Sequence, residues 1–237
     1  MSEATMKAPS ATQIGPIRGW FEVLAIPMLI PIGGILGSLT GFAPLVPICS
    51  VGLPLLVATL FLHLEGTSWR SLAFGRAIGI KQLLGFAALA TVASFAAVSV
   101  TVMILQQGFG LPLIDVSAFE SAIKGNLTAY LWFLIPVAWG SAAIGEELLV
   151  RGYLLHRIEG LAGLKIAIVL QAIIFSSAHL YQGITSVFSI FVLSLVFGAV
   201  YLKSGRNLVT VIIAHGCIDT LALTLIYFGR ADLLIGT

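Results

Sequence analysis

Long stretches of this chain carry no formal charge. No Asp, Glu, Lys or Arg occurs over 23–64, 82–114, 125–145 or 166–202, which are runs of 42, 33, 21 and 37 residues. A helix needs about 20 apolar residues to cross the roughly 30 Å hydrocarbon core of a bilayer. There, each backbone N–H and C=O must be paired within its own segment, so unbroken apolar runs read as spanning helices. Outer-membrane strands would instead show short alternating stretches. The 42-residue run splits at the Gly41-Phe42-Ala43-Pro44 turn signal, and the 37-residue run splits near Gln182-Gly183. The expected architecture is an all-α, polytopic transmembrane helical bundle. Its seven spans fall at 20–41, 44–64, 82–106, 128–158, 165–182, 185–203 and 207–228. An eighth span is the alternative, built from the apolar pieces of 66–81 and 108–124. These read better as interfacial segments, and Ser117-Ala118-Phe119-Glu120 has the form of a capping box.

Composition agrees. Only 9% of the residues are charged, against about a quarter in a soluble domain. That excludes an ordinary soluble enzyme, a disordered chain and a nucleic-acid binder. Cys49 and Cys217 are too few for a disulfide framework or a thiolate metal cage. Residues 1–19 read as a polar tail without a clear signal-peptide cleavage site. Variable spans and interfacial segments follow over 20–127, a polar-motif core over 128–230, and a short tail over 231–237.

Orientation comes from the cationic residues. With the N-terminus in the cytoplasm, ten of the 12 Lys and Arg residues fall on inner segments: Lys7, Arg18, Arg70, Arg76, Lys81, Arg151, Arg157, Lys165, Lys203 and Arg206. Only Lys124 and Arg230 fall outside.

Ionisable groups inside a bilayer are costly, and by default they mark function. Glu146, Glu147 and Arg151 lie on the fourth expected helix, His179 on the fifth, and His215 and Asp219 on the seventh. Glu147 and Arg151 are spaced i, i+4 and can pair on one face, while Glu146 points about 100° away from Glu147. His215 and Asp219 also share a face. Glu146 and His179 each lie about 16 residues from the Gly160-Leu161-Ala162-Gly163 turn, so both sit roughly 25 Å from it. An antiparallel hairpin puts them at one level. His215 joins them if the fourth and fifth helices extend beyond the membrane, and the polar run 151–159 suits such an extension. Glu22, His63 and Glu65 read as interfacial groups at helix ends, and His156 as part of the polar extension.

A carboxylate beside a histidine can hold and deprotonate a water. A second histidine with a polar neighbour can stabilise the oxyanion of an attacked carbonyl. Glu146, His179 and His215 are also a possible three-ligand set for catalytic zinc, and spacing does not separate the two mechanisms. No His-Glu-x-x-His run, paired intramembrane aspartates or Gly-x-Ser-Gly site offers another hydrolytic chemistry.

These residues carry a resemblance. Glu146-Glu147-Leu148-Leu149-Val150-Arg151, followed by Gly152, resembles the Glu-Glu-x-x-x-Arg motif of the CAAX-prenyl-protease and bacteriocin-processing family. Phe175-Ser176-Ser177-Ala178-His179 resembles its Phe-x-x-x-His motif, and His215-Gly216-Cys217-Ile218-Asp219 its His-x-x-x-Asn/Asp motif. The resemblance covers about 100 residues, from the fourth helix to the seventh. It implies an intramembrane endopeptidase in which Glu146 and His179 activate water and His215 with Asp219 forms the oxyanion site. Glu147 and Arg151 would position Glu146. The glutamate mechanism, which needs no cofactor, is favoured over the zinc version. Asp219 departs from the amide of the Asn form, because an ionised carboxylate cannot donate a hydrogen bond. The implied partners are the lipid bilayer and a membrane-anchored protein or peptide substrate, and the implied location is a bacterial cytoplasmic membrane. A proton-coupled transporter and a non-catalytic immunity or scaffold protein are the alternatives.

Overall fold

The computed structural model describes residues 15–235. The tail residues 1–14, with Lys7, and residues 236–237 lie outside them. The elements run α1 (Pro16–Ser38), α2 (Leu45–Leu64), α3 (Trp69–Ala73), α4 (Ile80–Gly108), α5 (Ser117–Ile123), α6 (Leu127–Ala162), α7 (Leu164–Ser177), α8 (Ile184–Lys203), α9 (Leu208–Tyr227) and α10 (Asp232–Ile235). Among the described residues the only β pairing is an isolated bridge between Phe74 and Asn207. The chain is a polytopic helical bundle.

Six helices, namely α1, α2, α4, α6, α8 and α9, are long and apolar enough to cross a membrane. The expected span over 165–182 is instead α7, whose 14 residues reach only about 21 Å. It stops at Ser177, and the chain turns through a 3₁₀ segment, Leu180–Gln182, to Gly183 at φ +94°. The interfacial reading of 66–81 and 108–124 matches two short helices, α3 and α5. Ser68 caps α3 through a mutual contact with Ser71. Ser117 does not cap α5; the Asp115 carboxylate accepts from the Ser117 N–H at 2.9 Å instead.

Helix α1 starts with Pro16, whose missing N–H costs nothing in the first turn. It packs on α2 through small residues. A Cβ at Gly33 would run into the Cys49 carbonyl, and one at Gly37 into the Leu45 carbonyl. This Gly-x-x-x-Gly face lets two backbones touch where apolar side chains gain nothing over lipid. Gly33→Val is expected to pry α1 from α2. Its unfolding midpoint in detergent should fall by several degrees, while Gly52→Val, with open space around its Cβ position, should stay near wild type. Equal midpoints would show that the close approach contributes nothing.

The α6 helix organises the site. Its 36 residues exceed the roughly 20 that a bilayer core requires, which leaves length for the polar run 151–159 to lie beyond the core. Asn126 caps its start, accepting from the Ala129 N–H at 3.1 Å. The helix is π-wound over Phe133–Glu146 and Leu148–Leu154, an i→i+5 pattern common at functional sites. Glu146 and Glu147 fall at the junction of the two segments. The helix ends at Gly163, φ +84°, from which α7 folds back along it.

Two ion-pair clusters tie the same end of the bundle together. Glu22, near the start of α1, is fully buried within the protein. It accepts from the Tyr153 hydroxyl at 2.7 Å and pairs with Arg18 and Arg157 at 2.9 and 3.1 Å. Glu65, at the end of α2, takes the other arms of Arg18 and Arg157 at 3.0 and 2.5 Å. Arg206, in the α8–α9 turn, forks onto Glu159 at 2.7 and 2.8 Å. It also meets Nε2 of His156, which lies in the polar extension of α6. The start of α1 and the ends of α2, α6 and α8 therefore share one side.

Candidate active site

The centre of the site is Glu147. Its side chain is fully buried, and its Oε1 accepts from Arg151 Nη1 at 2.8 Å and from His215 Nδ1 at 2.9 Å. The i, i+4 pairing is thus present, but its product is an oriented His215. Arg151, also fully buried, donates to the Ser194 carbonyl at 3.2 Å and to its hydroxyl at 2.8 Å. The Ser194 hydroxyl donates on to Gln171 at 3.2 Å. The guanidinium lies 5.1 Å from the Phe175 ring centre and 5.4 Å from that of Phe197, where cation–π attraction offsets part of its lost hydration. A continuous polar path therefore joins α9, α6, α8 and α7. Ser194 and Gln171 went unnoticed in the sequence. Their signal was there, since both are polar residues inside a charge-free run.

Helix α9 is seated by Trp139 of α6. The indole covers Gly216, where a Cβ would lie 2.6 Å from the ring, and its N–H donates to Thr220 at 3.0 Å. This fixes the rotation of α9 and aims His215 at α6. With Nδ1 held by Glu147, His215 Nε2 faces two carboxylates, Asp219 at 3.7 Å and Glu146 at 3.9 Å. Both distances are longer than a hydrogen bond. The partner within hydrogen-bonding distance that orients His215 is therefore Glu147, and not Asp219.

Glu146 turns away from Glu147 as the helical offset requires. It opens onto a cavity of about 740 Å³ whose walls come from α1, α2, α5, α6 and α7, with Ile26, Val46, Phe119 and Phe133 among them. His179 opens onto the same cavity. It lies two residues beyond the end of α7, not on a helix. Its Nδ1 sits 3.0 Å from the Phe175 carbonyl. A carbonyl only accepts, so Nδ1 carries the proton and the Nε2 lone pair of the neutral ring stays free. Neither His215 nor Asp219 lines that cavity; they form its inner neighbour beside Glu146. Cys217 is exposed.

The donor set of the zinc alternative does not assemble. Among the described residues no three His, Cys, Asp or Glu side chains converge in a group suited to a metal ion. Nδ1 of His215 is engaged by Glu147 and Nδ1 of His179 by the Phe175 carbonyl, which leaves Nε2 of each ring open, a pattern that metal-ligating histidines also show. The chemistry below is written for the side chains alone.

Residues 128–221 match the family model described as type II CAAX prenyl endopeptidase Rce1-like. No curated protein and no solved structure matched the chain. The matched segment runs from α6 into α9 and contains Glu146, Glu147, Arg151, His179, His215 and Asp219. Over residues 128–221 the chain is similar to this family of endopeptidases.

Proposed function

We propose that the protein is an intramembrane endopeptidase that cleaves a membrane-anchored protein or peptide by direct attack of water. The observation that carries this reading is the shared cavity: Glu146 and His179 open onto one largely apolar space inside the bundle. Apolar walls suit a substrate that arrives from the bilayer, and the two polar groups mark where it reacts.

The Nε2 lone pair of His179 and the Glu146 carboxylate hold a water between them. As the water oxygen bonds to the scissile carbonyl carbon, its proton passes to Glu146. Charge builds on the carbonyl oxygen. His215, oriented by Glu147, meets that charge with Nε2–H when its ring is protonated. Glu146 then returns the proton to the departing amine nitrogen as the C–N bond breaks, leaving a carboxyl and an amine terminus. Positive charge is concentrated in the segments on the side shared by the ion-pair clusters, so we place that side in the cytoplasm of a bacterial cell.

The test is cleavage of candidate membrane-anchored substrates in detergent. His179→Ala should lose about 10²–10⁴-fold in rate. Asp219→Asn should retain activity, since an amide in place of this carboxylate keeps the shape and adds a donor. A loss in Asp219→Asn as large as in His179→Ala would assign Asp219 an acid–base role. Failure of the wild type to cleave, with proton movement in liposomes, would replace the protease by a transporter. Elemental analysis of the same protein addresses the zinc version: stoichiometric zinc that is lost in His215→Ala would overturn a mechanism through side chains alone.

A further inference from the structure

The two ion-pair clusters at one end of the bundle pair among themselves. At the cavity, the Tyr181 side chain has no such assignment. Tyr181 opens onto the same cavity as Glu146 and His179, and it is 65% exposed. Its ring stacks beside that of His179, with centroids 6.2 Å apart and planes 26° apart, while Phe175 meets the imidazole edge-on at 5.0 Å.

The turn that carries Tyr181 is pinned on both flanks. Within it, the Gln182 N–H donates to the His179 carbonyl at 3.0 Å and the Gly183 N–H to the Leu180 carbonyl at 2.9 Å. From outside, the Asp115 N–H donates to the Gln182 carbonyl at 3.0 Å and the Thr185 hydroxyl to the Pro112 carbonyl at 2.6 Å. The backbone of the turn is therefore fixed, and the ring sits beside His179, open to whatever fills the cavity.

Donor accounting shows what the site lacks. Glu146, Glu147 and Asp219 are acceptors when ionised, and His179 gives its one proton to a backbone carbonyl. Among these carboxylates and histidines, only His215 is left to donate to an oxyanion, and the Ser177 hydroxyl on the cavity wall already donates to the Ile174 carbonyl. A neutral phenol adds a donor without adding charge. We propose that Tyr181 is a catalytic residue of the peptidase reaction, packing on the substrate beside the scissile bond and donating its hydroxyl hydrogen to the carbonyl oxygen. It supplies the neutral donor that Asp219, as a carboxylate, does not. No covalent bond to Tyr181 forms; the phenol keeps its proton throughout. This inference rests on the peptidase reading above.

The experiment measures kcat and KM for the wild type, Tyr181→Phe, Tyr181→Ala, Asp219→Asn and the double variant Tyr181→Phe/Asp219→Asn on one cleaved substrate. Tyr181→Phe keeps the ring and should lower kcat by about 10²–10³-fold, the cost of one oxyanion donor, with KM within about twofold. Tyr181→Ala should raise KM as well. In the Asp219→Asn background the new amide takes over part of the donation, so Tyr181→Phe should cost less than about tenfold, a coupling that independent sites do not show. Wild-type kcat in Tyr181→Phe would overturn the proposal, leaving the ring as packing for His179. An equal loss in both backgrounds would also overturn it. A wild type that cleaves nothing would sink the peptidase reading itself, a result distinct from either.

Discussion

Glu146→Gln is expected to abolish turnover: the rate on any substrate that the wild type cleaves should fall by about 10²–10⁴-fold. The amide has the size and shape of the carboxylate, so the cavity and the packing of α6 persist. What is lost is the ability to accept the proton of the attacking water. KM should hardly move, because Glu146 is one polar group in a largely apolar wall. Initial rates, with fragments identified by mass spectrometry, measure the loss, and an unchanged unfolding midpoint shows that the fold is intact. Retention of more than a tenth of the wild-type rate would remove Glu146 as the base.

Arg151→Met should act through stability first. The guanidinium is the hub of the buried path, bonded to Glu147 and to both oxygens of Ser194. Removing it leaves the Glu147 carboxylate buried with His215 as its only partner, since Glu147 Oε2 already lacks one. Breaking a buried pair from one side costs about 3–5 kcal/mol, to be read from unfolding in detergent. Restoring neutrality with Glu147→Gln in the same chain should recover part of that loss. Activity should stay low in the double variant, because His215 then has no carboxylate to orient it. An Arg151→Met protein as stable as the wild type would show that the path has no structural weight.

The helices were legible because apolar runs are a property of composition, and the bilayer converts composition directly into helix. Where α7 ends was not legible by that route. Residues 178–182 hold no Gly, no Pro and no formal charge to mark a break, yet the chain leaves the helix at Ser177 for a 3₁₀ turn that sets His179 and Tyr181 beside the cavity. The pairing of Glu147 with Arg151 followed from spacing. The contact of Glu147 with His215, 68 residues away, did not, because helical spacing says nothing of how α9 is rotated against α6. Trp139 over Gly216 sets that rotation, and neither residue drew notice in the sequence. Glu22 shows the same limit. Its partners Tyr153 and Arg157 lie more than 130 residues further on, beyond anything that helical spacing reveals.

Those contacts of Glu22 bear on where the protein can be cut. The family match begins at residue 128, yet α1 supplies the carboxylate that pairs with the hydroxyl of Tyr153 and the guanidinium of Arg157, both on α6. Contacts of the matched segment thus reach across the point where the match begins. A fragment starting at 128 would lose Glu22 and Glu65 together, leaving Arg157 without either acidic partner, and Val51 and Ile26 would no longer wall the cavity. Transplanting the matched segment onto another set of leading helices would call for an acid placed where Glu22 stands, to meet Tyr153 and Arg157.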